Sequence, residues 1–247
     1  MSQPLISIIT ICFNAESTIK RTLESVDNQC FDDYEHIIVD GASSDGTLTI
    51  IKEAPSTLRH IFSEPDNGLY DAMNKGISLS KGKYLIFLNA GDKFHGKDAL
   101  RRIAHAIEEN DLPGIVYGQT MIVDDQGSTL GPRHLQAPET LTLESFKNGM
   151  LVCHQAFIAN RKIIGFYDIK YRFSADYDWC IQCLQHSRKN IYLGDEPLID
   201  YLSEGVTTKN HRASLLERFK IMSFYFGFFP TVCRHAIFFY RNLKRKV

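Results

Sequence analysis

The sequence predicts an α/β protein with a mostly parallel sheet, a mixed second half and a helical C-terminal appendage. Three observations carry this. Short, nearly continuous apolar runs at 5–11, 36–39 and 84–88 read as strands buried on both faces, the mark of parallel pairing. Stretches with apolar residues at helical spacing, Ile19, Leu23 and Val26 and then Leu69, Met73 and Ile77, separate them. Each strand then ends on polar residues, which is how such a sheet delivers chemistry to its carboxyl edge, where open α/β sheets bind ligands.

The first strand, 5–11, leaves through Cys12-Phe13-Asn14 into an amphipathic helix. The second, 36–39, ends at Asp40 and enters Gly41-Ala42-Ser43-Ser44-Asp45-Gly46-Thr47, whose glycines and hydroxyls permit tight curvature and helix capping. A short third strand near 59–63 precedes Pro65 and Asn67-Gly68, a turn that opens a helix carrying Asp71, Asn74 and Lys75 off its apolar face. The fourth strand runs from Tyr84 into Asn89-Ala90-Gly91-Asp92 and is the stretch around which the rest is arranged. Four alternations of strand and helix within a hundred residues exclude a bundle or a sandwich.

After a helix over 99–109 the pattern changes. Short runs at 115–117 and 121–123, separated by turn residues, predict mixed or antiparallel strands that form the other wall of a site. Cys153-His154-Gln155-Ala156-Phe157 is expected to open a strand, and Ser174-Ala175-Asp176-Tyr177-Asp178-Trp179 a helix whose dipole favours its two first-turn carboxylates. The stretch 125–150 predicts turns and one helix.

Composition bounds the function. At 247 residues and 44% hydrophobic, the chain can bury a substantial core, which excludes disorder. A formal net charge of −1 removes any general reason to bind nucleic acid. Six cysteines are scattered, and the single close pair, Cys180 and Cys183, lies in a helical stretch, which favours buried thiols over a metal or redox centre. Met1-Ser2-Gln3-Pro4 does not begin a secretory signal, so a cytoplasmic protein is expected.

Five motifs, in order, carry a family resemblance: Ser7 to Asn14, Val39 to Thr47, Asp71-Ala72-Met73-Asn74-Lys75-Gly76, Asn89 to Asp92, and Ala175-Asp176. Together they resemble family 2 of the inverting glycosyltransferases with the GT-A fold, in particular bacterial members that build capsular, exo- and O-antigen polysaccharides. The resemblance implies a GT-A catalytic domain over 1–205, divided into a nucleotide-sugar half (1–118) and an acceptor half (119–205), with an amphipathic helical segment over 206–247. It implies a nucleotide diphosphate sugar as donor, a UDP-sugar favoured, with Thr10, Phe13, Asn14, Asp40, Asp71, Asn74 and Gly91 around it. Phe13 would contact the base and Asp40 its polar edge.

The same resemblance makes Asp92 the ligand of a divalent cation, Mg2+ or Mn2+, although Gly91 stands where the family carries an acid. Asp176 becomes the general base, with Asp178 as its rival because Ala175 replaces the motif's first acid. His154, Gln155 and Trp179 would reach the acceptor, a glycan or lipid-linked sugar. A sugar nucleotidyltransferase is the first alternative, but Cys12-Phe13-Asn14-Ala15-Glu16 is not the Gly-rich basic loop it needs. A noncatalytic nucleotide- or glycan-binding module is the second.

The tail from Leu215 to Val247 is rich in aromatics, with Pro230 and Arg234 dividing two apolar runs, neither of which reaches the ~20 residues of a membrane span. Arg241, Lys244, Arg245 and Lys246 follow the aromatics. This combination suits the cytoplasmic face of an anionic membrane, while two helices packed on the core or on a second copy are the alternative.

Overall fold

The computed structural model describes residues 3–54, 56–203 and 211–245, with side chains described through residue 240 except that of His211. A single nine-stranded sheet organises them, in the order β3-β2-β1-β4-β8-β6-β9-β5, with β7 (Thr129–Pro132) paired to β6. On one side β1 (Ile6–Cys12), β2 (Tyr34–Asp40), β3 (Arg59–Ser63) and β4 (Tyr84–Phe87) are all parallel. On the other, β8 (Phe157–Asn160) runs antiparallel to β4 and β6 (Ile115–Val123), β9 (Asn190–Leu202) parallel to β6, and β5 (Lys93–Phe94) antiparallel to β9. This is the parallel half and mixed half expected.

The apolar runs become strands because both faces are covered. Every residue of β1, β2 and β4 is buried. The helices α1 (Ile19–Asp27), α2 (Thr47–Glu53), α3 (Leu69–Leu79) and α4 (Ala99–Glu109) supply the cover through residues such as Leu23, Ile51, Met73 and Ile103. Helix α5 (Ala175–His186) is buried nearly all round, so its apolar pattern carries little directional information.

Several expectations change in detail. The runs 115–117 and 121–123 form one strand, with register shifts against β9 near Gln119. That strand passes through the expected 118/119 division, so the two halves share one sheet. His154–Ala156 form a 3-10 turn before β8, and the helix expected within 125–150 is a 3-10 segment at Leu143–Asn148 capped by Thr142. In the tail, α6 (His211–Phe226) and α7 (Phe228–Arg245) are separated at Gly227, whose φ is +87°. Pro230 sits in the first turn of α7, where its missing N–H has no helical partner to lose. The 205/206 boundary and the side chains of Arg241, Lys244, Arg245 and Lys246 lie outside the described residues. No helix among those described is long and apolar enough to cross a membrane.

One buried polar group ties three strands. His36 of β2 bonds through Nε2 to the hydroxyl of Thr10 on β1 (2.9 Å), and its Nδ1 faces the guanidinium of Arg59 on β3. Burial, with Arg59 beside it, lowers the imidazole pKa from 6.5 to about 3. A group whose folded pKa is depressed gives stability that is present above its unfolded pKa and lost as pH falls toward the folded one. Denaturant midpoints should therefore fall from pH 7 to pH 5, with His36 contributing roughly 2 kcal/mol of the loss. His36→Gln should flatten that slope by about one proton; an unchanged slope would contradict the assignment.

Candidate active site

The strand order places β4 on one side of β1 and β2 on the other, so the chain changes direction at the β1/β4 pair. A cleft of about 1210 Å³ opens at the carboxyl ends of those two strands. This is where such sheets hold ligands. Its walls bring together Phe13, Asn14, Asp71, Asp92, His154, Gln155 and Asp176 from five separate stretches of chain.

The loop after β1 is locked to the loop after β2. The backbone N–H of Asn14 donates to Ser43 Oγ (2.8 Å) and that of Ser44 to Asn14 Oδ1 (2.9 Å), while Ala15 N–H donates to Thr47 Oγ1 (2.8 Å). Asn14 and Ala42 hold positive φ (48° and 60°) to make this fit. The result leaves Phe13 63% exposed at the cleft, a flat apolar surface suited to a base. Asp71 closes the Asp66–Gly68 turn by accepting from the backbone and side chain of Asn67.

Asp92 follows a turn that Thr22 of α1 pins: Thr22 Oγ1 donates to the carbonyl of Asp92 (2.7 Å) and accepts from the N–H of Gly91 (2.9 Å). Gly91 has φ +100°, and a Cβ there would lie 2.7 Å from Leu202 Cδ2. An acid at position 91 would hold a strained backbone conformation and displace the tip of Leu202. The Asp92 carboxylate is buried and accepts from Leu202 N–H (3.0 Å) and Gln155 Nε2 (2.9 Å). Burial pushes its pKa up to about 7, against the pull of those two bonds and of Arg21.

No cluster of three or more His, Cys, Asp or Glu side chains able to hold a metal occurs among the described residues. The cleft does offer a second oxygen: Asn89 Oδ1, buried and without a hydrogen-bond partner. A carboxylate, an amide oxygen and substrate phosphates fit a hard cation that keeps several waters, and do not make a free-standing protein cage.

Asp176 stands in the first turn of α5, and its Oδ1 accepts from Tyr70 OH (3.1 Å) and from the N–H of Tyr177 (2.9 Å). Both bonds fall on Oδ1, which leaves Oδ2 for a proton from elsewhere. Beside it, His154 is buried, bonded through Nε2 to Tyr167 OH (2.5 Å), and kept neutral by burial that lowers its pKa to about 4.

Six predicted residues do not line the cleft. Thr10 points into the sheet toward His36. Asp40 is fully buried, its oxygens taken by Ser43 and Ser63, so it locks the loop beneath Phe13. Asn74 clamps the backbone of Tyr167 from both sides (3.0 and 2.7 Å). Gly91 serves the turn. Asp178 faces α6 and Gln182 (2.6 Å), with burial raising its pKa against the bonds from Tyr225 and Gln182. Trp179 is fully buried, donates to Gly165 O (2.9 Å) and stacks on Tyr167 with centroids 5.2 Å apart, so no sugar reaches it. Gln155 holds Asp92 rather than facing open space. Sequence reasoning missed Asn89, Tyr70 and Arg218; only Asn89 lay inside a motif already read.

The Glycosyl transferase family 2 model matches residues 7–165. A PGL/p-HBAD biosynthesis glycosyltransferase of Mycobacterium bovis is 33% identical over 192 residues, covering 75% of this chain and 72% of that protein. The putative teichuronic acid biosynthesis glycosyltransferase TuaG of Bacillus subtilis is 32% identical over 155 residues, 61% of this chain and 60% of its own. Among solved structures, S. aureus TarS in complex with UDP-GlcNAc superposes with a TM-score of 0.72 at 18% identity, over 89% of this chain and 65% of that one. The mannosyltransferase PcManGT from Pyrobaculum calidifontis, in complex with GDP-Man and Mn2+, gives 0.64 at 14%, over 89% and 64%. Matching family model, curated relatives and shared architecture agree: the chain belongs to glycosyl transferase family 2.

Proposed function

We propose that this enzyme transfers a sugar, with inversion, from a nucleotide diphosphate sugar to a glycan acceptor carried on lipid, and that a UDP-sugar is the donor. The observation that carries this reading is the pairing of Asp92 with Asp176 in one cleft whose third feature is the exposed ring of Phe13. Relatives named for PGL/p-HBAD and teichuronic acid biosynthesis support the acceptor class, and neighbours complexed with UDP-GlcNAc or GDP-Man support the donor class.

In this reading the residues divide the work as follows. Phe13 stacks on the base while Asn14 and Asp71 frame the nucleotide. Asp92 and Asn89 would hold a divalent cation, Mg2+ or Mn2+, which would supply positive charge to the departing diphosphate. Asp176 Oδ2 takes the proton of the acceptor hydroxyl as its oxygen attacks the anomeric carbon from the face opposite the breaking C–O bond. Tyr70 and the Tyr177 N–H keep the carboxylate aimed. Neutral His154 offers a polar edge to the acceptor without placing a second positive charge beside the base.

We further assign the outer face of the α6/α7 pair to an anionic membrane surface at the cytoplasmic face. The inner face packs on the enzyme through Ile221, Met222 and an Arg234–Asn148 bond (2.9 Å). The outer face leaves Phe224, Phe228, Phe229 and Phe239 exposed. Exposed aromatics followed in sequence by Arg241, Lys244, Arg245 and Lys246 suit the headgroup boundary.

Three outcomes are expected. Asp176→Asn should lower turnover by roughly 10²- to 10⁴-fold with nucleotide binding intact; retained turnover would remove Asp176 as base, and a noncatalytic module would show no turnover in either protein. For Asp92, a folded pKa raised to about 7 means a contribution fully present below its ordinary value and lost as pH climbs through 7. Asp92→Asn should therefore raise the melting temperature at pH 8, by the equivalent of a few kcal/mol, while abolishing cation-dependent nucleotide binding. Finally, Phe228→Ser/Phe229→Ser should release the protein from phosphatidylglycerol-rich liposomes in co-sedimentation without altering its melting temperature. Equal sedimentation of wild type and variant would contradict the membrane assignment.

A further inference from the structure

The cleft is lined by both signs of charge, Asp66, Asp71, Asp92 and Asp176 together with Arg133, Arg172 and Arg218. Two of the arginines are accounted for. Arg133 donates to the carbonyls of Leu135 (2.8 Å) and Leu151 (3.2 Å), and Arg172 is solvent-exposed. Arg218 is neither. It is half-buried, its Nε is buried without a hydrogen-bond partner, and among the described residues no carboxylate forms an ion pair with it. Its guanidinium carbon lies 6.0 Å from the centre of the Tyr177 ring, one residue beyond Asp176.

Neither nearby acid pairs with it among the described residues. Glu217, next in sequence, accepts from the N–H groups of Arg172 (2.9 Å) and Phe173 (2.8 Å), and Asp176 accepts from Tyr70 and Tyr177. The helix that carries Arg218 is firmly docked. Glu217 caps the segment just before α5, Ser214 bonds Ser174 (3.0 Å), and Ile221 and Met222 are buried. A guanidinium held in this way, partly desolvated and open to a cleft, is matched by a bidentate oxyanion arriving with a ligand.

We propose that α6 is part of the substrate site and that Arg218 binds a phosphate-class group of a substrate beside Asp176. The proposal rests on the glycosyltransferase reading above. The phosphate has two sources, the diphosphate of the donor and a phosphate of a lipid-linked acceptor, and the two are separable by experiment.

Calorimetry on the full chain with Mg2+ uses UDP, uridine and farnesyl diphosphate as probes, first on wild type and then on Arg218→Gln and Arg218→Lys. Loss of one charge-assisted contact should weaken binding roughly 10- to 100-fold in Arg218→Gln, and less in Arg218→Lys. A loss for UDP but not uridine assigns the donor diphosphate; a loss for farnesyl diphosphate alone assigns the acceptor phosphate. Wild-type affinity of Arg218→Gln for both overturns the proposal. Should that variant not fold, phenylglyoxal labelling of the wild-type protein, read by mass spectrometry, replaces it. Protection of Arg218 by either diphosphate supports the proposal, and labelling unaffected by both overturns it. If wild type binds neither UDP nor any other nucleoside diphosphate, it is the donor reading that fails, whatever Arg218 does.

Discussion

The site depends on a carboxylate held where its charge is disfavoured. Asp92 is placed by a turn that α1 pins through Thr22, by the backbone of Leu202 at the end of β9, and by Gln155 ahead of β8. Those groups come from both halves of the sheet, so the pairing that joins the halves also positions Asp92. Two donated hydrogen bonds offset only part of the desolvation, and the pKa settles near neutrality. Under the proposed function, a cation arriving with substrate phosphates would favour the charged form of this carboxylate.

The same economy of partners runs through the rest of the cleft. Asp176 is oriented by a tyrosine from α3 and a backbone N–H of its own helix, and that tyrosine stacks on Tyr167, which bonds His154 and is itself clamped by Asn74. Residues that never meet a ligand thus fix those that do. The tail helices belong to this arrangement as well, because α6 caps the segment leading into α5 while turning an aromatic surface outward.

Much of this was legible from the chain alone. The parallel core announced itself through apolar runs, while the candidate roles of Phe13, Asp92 and Asp176 came from the family resemblance, and all three line the one cleft. Which side a residue faces was harder. Strand β1 is buried on both faces and helix α5 nearly all round, so no pattern separates Thr10 from Ile11, or Trp179 from Asp176. Gly91 read as a missing acid, whereas the turn requires its positive φ and Leu202 fills the space beside it. Arg218 carried no local signal at all. Its position depends on α6 docking against the start of α5, a contact about forty residues apart in sequence that no spacing rule encodes.

The most direct test is calorimetric titration of nucleoside diphosphates and their sugars with and without Mg2+ or Mn2+, at pH 6 and pH 8.5, in buffers of different ionisation enthalpy. The account predicts binding of one nucleotide class that requires the cation and releases close to one proton at pH 6 and almost none at pH 8.5, as Asp92 gives up its proton. Equal affinity without cation, or binding with no proton release at pH 6, would contradict it.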